Sequence, residues 1–257
     1  MIALLGGVLI VLFFLSFLLG RFDVPFGEVL RILINRIVPL EQTWTDRMAI
    51  AVVNIRLPRI LLACLVGCCL TSAGIAYQTV FQNPMAAPDI LGASSGACFG
   101  AALAILLQAG RAGITASAFA FSMLSVFLVY LVGSRTRGNR VMSILLAGVM
   151  ISSLFSAATS YVKLVADPTN QLPAITYWLM GSLSGATLKE VLYALIPMAA
   201  GLILLFLLRW RMNLLTLSGD EAKSIGVNTG RLRLCVILCA TLLTASSVAV
   251  SGMIGWV

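Results

Sequence analysis

The sequence predicts an all-α protein that crosses a membrane many times, and three observations carry that prediction. Apolar residues fill 60% of the 257 positions and charged residues only 10%, where a soluble domain carries about a quarter charged. Apolar runs at roughly 2–19, 60–81, 90–107, 114–133, 141–162, 191–208 and 234–257 approach the ~20 residues that a bilayer span needs, so about seven spanning helices are expected. The basic residues sit in short connections. A formal net charge of +8 would suggest nucleic acid as partner of a soluble protein, but here Arg135, Arg137 and Arg140 form one cluster between runs, and Arg209, Arg211, Lys223, Arg231 and Arg233 form another. The positive-inside tendency assigns both to the cytoplasm. Charge alone does not settle orientation, because residues 21–59 hold six arginines, partly balanced by Asp23, Glu28, Glu41 and Asp46.

Taken in order, the first run has no basic leader and no small-x-small cleavage site after Leu19, so a retained span is expected. In the mixed segment from Arg21 to Asp46, the residues Val24, Phe26, Val29, Leu30, Leu33 and Ile37 can form the apolar face of a short surface helix. Trp44 suits an interfacial anchor. Arg56, Leu57, Pro58 and Arg59 then open a small-residue helix that breaks at Gln82-Asn83-Pro84-Met85-Ala86-Ala87-Pro88-Asp89. Pro84 and Pro88 remove two backbone donors and push Asn83 and Ala87 out of helical geometry. Near membrane depth, such backbone is tolerated only when buried in protein or lining a polar path. Beyond the break, Gly92, Gly96 and Gly100 fall four apart and share one helix face, where another backbone can come close.

The order of these features over 45 residues resembles the permease subunits of binding-protein-dependent ABC importers for iron-siderophores, haem, cobalamin and related metal chelates. There an Arg-x-Pro-Arg opens the second helix, a Gln (here Gln78) precedes an Asn-Pro-Leu-Ala-x-Pro loop, and Leu-Gly-x-x-x-Gly-Ala opens the third. Met85 stands where leucine is usual and Gln82 where arginine is common. Two later stretches resemble the family as well, Trp178 to Gly185 and Leu242 to Gly255, the latter with Met253 in place of a usual proline.

Between these stretches, Gln108 to Gly113 reads as the turn of an antiparallel hairpin. Ser152, Ser156 and Thr159 share a face, which either lines a path or bonds neighbouring helices. The polar loop Asp167 to Pro173 leads into a run too short to span, expected as a partial helix with Tyr177 and Trp178 at headgroup level. In the cytoplasmic loop 212–231, Ser218 and Glu221 have capping-box spacing, Asp220 adds first-turn charge, and Gly226 offers a left-handed stop.

Several chemistries are absent from the sequence. With no histidine, and with all six cysteines in apolar runs, neither a zinc site nor a histidine-ligated haem is expected. All nine acids sit in loops or at helix ends, unlike the embedded acids of proton-coupled transporters. No G-x-x-x-x-G-K-[ST] phosphate loop occurs. The expectation is therefore a non-catalytic subunit with no metal and no cofactor.

The resemblance implies more. It implies a helix bundle like that of type II ABC importer permeases, one domain over 1–257 in the inner membrane, with a C-terminal part missing relative to a family of about ten helices. Its implied partners are a second copy, cytoplasmic ATPase subunits and an extracytoplasmic binding protein. It assigns Arg56 and Arg59 to docking of that protein, and Asn83, Pro84, Met85, Val141, Met142 and Ser143 to a cytoplasmic gate. Ser218, Asp220, Glu221, Ala222, Ile225 and Gly226 fall to ATPase coupling. Iron-siderophore is the first cargo implied, with cobalamin, haem or molybdate as alternatives. A sodium-coupled secondary transporter is the competing class, because backbone carbonyls can hold its ion without acids.

Overall fold

The structure, a computed structural model of the chain, describes residues 2–20, 22–36, 38–135, 140–216 and 228–254. Among them the α-helices are α1 Ile2–Leu18, α2 Phe26–Ile34, α3 Asp46–Ile50, α4 Leu57–Phe81, α5 Ala93–Leu106, α6 Arg111–Arg135, α7 Arg140–Val165, α8 Gln171–Met180, α9 Leu188–Met212 and α10 Thr229–Ser251. A π turn, Ala51–Arg56, joins α3 to α4, giving one helical stretch of 36 residues, Asp46–Phe81. Over the described residues, each of the seven apolar runs overlaps a helix. Five stretches are long and apolar enough to cross a bilayer, whereas α1 and α5 have 17 and 14 residues. α5 starts late because Asp89–Gly92 is spent on turns.

The chain divides into two compact units, Met1–Cys64 with Leu183–Tyr193, and Leu65–Ser182 with Ala194–Val257. In the first, Phe17, Val24, Val29, Ile32, Trp44, Val52, Val53 and Ile60 form the core. The surface helix expected after residue 24 exists as α2, and its buried residues are Val29 and Ile32. Phe26 lies off that face at 45% exposure, and Ile37 lies outside the described residues. Trp44 also departs from expectation: it is 8% exposed within the core. The reason is local, since Thr43 donates to Glu28 (2.8 Å) and accepts from Arg31 (3.0 Å), tying the segment before Trp44 to α2. At the start of α9, Thr187 and Glu190 form a reciprocal capping box: the Glu190 carboxylate accepts the Thr187 N–H (2.9 Å), and the Thr187 hydroxyl accepts the Glu190 N–H (3.3 Å). Such a cap stabilises a helix by about 1 kcal/mol.

The second unit is organised on α5. Nine of its residues are buried, all of them Ala, Gly, Ser or Cys, so α6 and α7 approach its backbone closely. Ser117 and Ser125 of α6 donate to the carbonyls of Gly100 (2.7 Å) and Gly92 (2.8 Å). Phe99, Phe121 and Phe155 fill the space beside the glycines, with ring centroids 5.1 Å apart for Phe99–Phe121 and 5.6 Å for Phe99–Phe155. The expected hairpin is present: Gln108, with φ 55°, turns the chain between α5 and α6. The stripe on α7 is not uniform. Thr159 is buried and donates to its own turn at Phe155, and Ser156 is exposed.

α10 is buried along most of its length. Its hydroxyls at Thr241, Thr244, Ser246, Ser247 and Ser251 donate to carbonyls four residues back, while Thr241 also pairs with the buried Tyr77 hydroxyl at 3.0 Å. The partial helix α8 appears as expected, with Tyr177 73% exposed. Trp178 instead packs on Ala97, Ala101, Ala118, Val248 and Ala249.

α8 and α10 end against each other through two glycines. Gly181 (φ 70°) and Gly252 (φ 71°) both have positive φ, and a Cβ on Gly252 would lie 2.4 Å from the Trp178 carbonyl oxygen and 2.8 Å from the Gly181 Cα. The Ser182 N–H donates to the Ser251 carbonyl at 2.7 Å. The helix thus stops where the sequence lacks the usual proline; Gly252 supplies the stop that Met253 does not.

Candidate functional site at a broken helix

α4 ends at Phe81, and Gln82 takes a left-handed conformation, φ 51°. Proline denies the next turn a backbone donor, so side chains rebuild it. The Asn83 side-chain oxygen accepts the Met85 N–H (2.9 Å), its backbone carbonyl accepts the Ala86 N–H (3.1 Å), and its own N–H reaches back to Gln78 (3.2 Å). This is an Asx turn. The Gln82 amide donates to the Leu215 carbonyl. Met85 is 84% exposed, whereas Ala86 beside it is 2% exposed.

The far side of the break is closed by Asp89. Its carbonyl accepts the Gly92 N–H (2.8 Å) and its carboxylate accepts the Ser94 N–H (2.8 Å), which satisfies an orphan donor of α5. Beside it lies a small pocket of about 60 Å³ lined by Leu70, Ala87, Pro88, Asp89, Ser94, Thr244, Val248, Met253 and Ile254. Burial raises the Asp89 pKa above the usual carboxylate range, against the opposing hydrogen bonds from Ser94. Sequence reading counted Asp89 among loop acids and missed it. The available signal was an acid following a helix-breaking proline directly before an apolar run.

The glycine ladder meets its predicted neighbour, with one change. Gly96 and Gly100 lie on α5, where a Cβ would come within 2.5 Å of the Phe121 and Ser117 carbonyl oxygens respectively. Gly92 stands before the helix as its left-handed N-cap, φ 72°, against Ser152 of α7. α7 touches the break at Gly148, where a Cβ would lie 2.5 Å from the Ile90 carbonyl oxygen. Val141, Met142 and Ser143 form its first turn, with Met142 56% exposed.

The two arginines expected at a docking surface differ. Arg59 is exposed and donates to the Ser184 carbonyl at 3.1 Å. Arg56 is 8% exposed, and its guanidinium donates to the carbonyls of Phe17 and Phe22. The π turn ends on Arg56 and faces it inward with Val52 and Val53. Gly20 packs on it so tightly that a Cβ would lie 2.7 Å from a guanidinium nitrogen. Phe17 belongs to the last turn of α1, so the cation caps that helix. Buried and engaged in this way, Arg56 presents no charge to a partner in this conformation. The coupling residues Ser218, Asp220, Glu221, Ala222, Ile225 and Gly226 lie outside the described residues.

A helix broken on polar side chains and stacked on glycines, among five stretches long and apolar enough to cross a bilayer, defines a multi-pass helical membrane protein. The chain belongs to the FecCD transport family, whose model matches residues 8–257, and its location is the inner membrane. It is 41% identical over 210 residues to the "Probable iron chelatin transport system permease protein" of Helicobacter pylori, covering 82% of this chain and 63% of that protein. The molybdate import system permease protein MolB of Haemophilus influenzae is 35% identical, over 93% of this chain and 70% of that one. A solved metal-chelate type ABC transporter in an inward-facing conformation matches with TM-score 0.84 and 33% identity, covering 98% of this chain and 76% of its own. The fold is thus that of a type II importer permease. The chain spans 63% of the length of the first of these relatives.

Proposed function

We propose that this chain forms the translocation pathway of an ABC importer for an iron-siderophore or similar metal chelate, energised by a separate ATPase. The observation that carries the reading is the break at residues 82–92, whose polar turn and glycine-stacked restart give one spanning path a rearrangeable segment. Relatives named for iron chelatin and molybdate support the class of cargo. Haem and cobalamin, named for other relatives, are the alternatives. Two copies enclose the path, with Asn83, Pro84 and Met85, together with Val141 to Ser143, at its cytoplasmic constriction. Residues 218–226 engage the ATPase. An extracytoplasmic binding protein docks on exposed Arg59, whose guanidinium suits a carboxylate partner.

The test is uptake of a ferric chelate into vesicles that carry the chain with its ATPase. ATP added to vesicles without an ion gradient should drive uptake. A sodium gradient in ATP-depleted vesicles should not, and uptake there would overturn the proposal in favour of a secondary transporter.

A further inference from the structure

Helix α2 turns different chemistry to each of its sides. Val29 and Ile32 are buried in the core of the first unit together with Phe17 of α1, and Leu33 packs on that core. Glu28 and Arg31 make its polar side, 3.7 Å apart, where Thr43 donates to the first (2.8 Å) and accepts from the second (3.0 Å). The remaining side is apolar and open. Phe26, Leu30 and Ile34 follow one another at four-residue spacing and so form one ridge of the helix. Beyond it, the Val38 N–H donates to the Ile34 carbonyl (2.9 Å) and Asn35 Oδ1 accepts the Leu40 N–H (2.8 Å), which folds the chain back and adds Val38 to the ridge. Phe26, Ile34 and Val38 are each about half exposed.

What lies against this ridge follows from the place of α2 along α1. The 17 residues of α1 include no charge, and their length of about 25 Å nearly matches the ~30 Å hydrocarbon core of a bilayer. Phe17, which shares the core with Val29 and Ile32, stands in the last turn of α1. α2 is therefore held at the level where α1 leaves the hydrocarbon. The Arg56 guanidinium fixes the link between them by donating to the Phe17 and Phe22 carbonyls, and exposed Leu19 and Phe22 carry the apolar surface of α1 on toward Phe26.

We propose that α2 is an interfacial anchor, with the ridge of Phe26, Leu30, Ile34 and Val38 set in the headgroup–acyl boundary of the bilayer and the Glu28–Arg31 side facing water. A helix with an apolar ridge beside charged residues lies in that boundary because lipid takes the ridge out of water while the charges stay hydrated. Arg36, exposed just past the helix, is a cation that can reach a lipid phosphate from there. The anchor sets the height of the link that Arg56 holds, and it depends on neither cargo nor ATPase.

Spin labelling tests it. Phe26→Cys, Ile34→Cys and Arg31→Cys are made one at a time in the chain with its six native cysteines replaced, given a nitroxide, and reconstituted in phosphatidylethanolamine–phosphatidylglycerol liposomes. Leu9→Cys, at an exposed position in α1, gives the lipid reference. All four side chains replaced are exposed, so the label displaces no core residue. Collision with oxygen, which concentrates in lipid, is compared with collision with a water-soluble nickel chelate. The oxygen-to-nickel ratio should be several-fold higher at Phe26 and Ile34 than at Arg31, and lower than at Leu9, as a shallow position requires. Equal ratios at Phe26, Ile34 and Arg31 would put the ridge in water and overturn the proposal. Ridge labels shielded from both reagents would overturn it too, since a protein surface such as a second copy then covers them. So would nickel access that disappears only when an extracytoplasmic binding protein is added, which would make the ridge that protein's docking face.

Discussion

At the 82–92 break, polar side chains hold the backbone; at Gly181 and Gly252, backbone holds backbone. In the break, Asn83 and Asp89 each satisfy a main-chain N–H from a side-chain oxygen, and Met85 stands free. Side-chain acceptors can be exchanged for water with little net change, because a typical hydrogen bond contributes about 1 kcal/mol net. At the glycine junction, two helix ends meet with no room for a Cβ, and any movement of one end displaces the other. The difference predicts that the break is the segment of the second unit able to rearrange and that the glycine junction is its frame.

The largest effect should come from the frame. Gly252→Ala places a Cβ 2.4 Å from a carbonyl oxygen on a residue with positive φ, and should cost about 3 kcal/mol from strain and overpacking together. A fall in thermal unfolding temperature in detergent checks it, and an unchanged temperature would mean that the junction yields. Gly96→Ala should cost about 2 kcal/mol, because the atom it meets is the Phe121 backbone oxygen at 2.5 Å. Its control is Gly67→Ala in α4, where a Cβ meets nothing within 4 Å; that change should be neutral or stabilise by up to about 1 kcal/mol. The smallest effect is expected at the break. Asn83→Ala should leave the unfolding temperature within a degree or two, costing about 1 kcal/mol locally, and should speed amide hydrogen exchange at Met85 and Ala86 alone. Exchange spreading into α5 would show that break and frame are one piece.

Much of this was legible in the residues. The seven apolar runs, the proline-bounded break, the glycine face and the partial helix at 171–180 each follow from local chemistry, because hydrophobic length, missing donors and side-chain size act within a few residues of themselves. The exceptions depend on packing partners outside their own run. Arg56 and Arg59 look alike in sequence, and only the π turn together with the carbonyls of Phe17 and Phe22 separates a buried cap from an exposed cation. Trp44 and Trp178 looked like interfacial anchors, yet Trp44 joins the core of its own unit and Trp178 packs on Ala97, Ala101, Ala118, Val248 and Ala249, far along the chain. Asp89 read as a loop acid because the pocket it lines is completed by Thr244 and Val248 of α10, far along the chain.

The account's central claim, that the break moves while the glycine junction stays, is tested most directly by crosslinking. Asn83→Cys, in a chain without its native cysteines and reconstituted with its ATPase, should form a disulfide between two copies with a yield that changes when nucleotide is added. Equal yields with and without nucleotide would contradict the claim and make the break a static packing element.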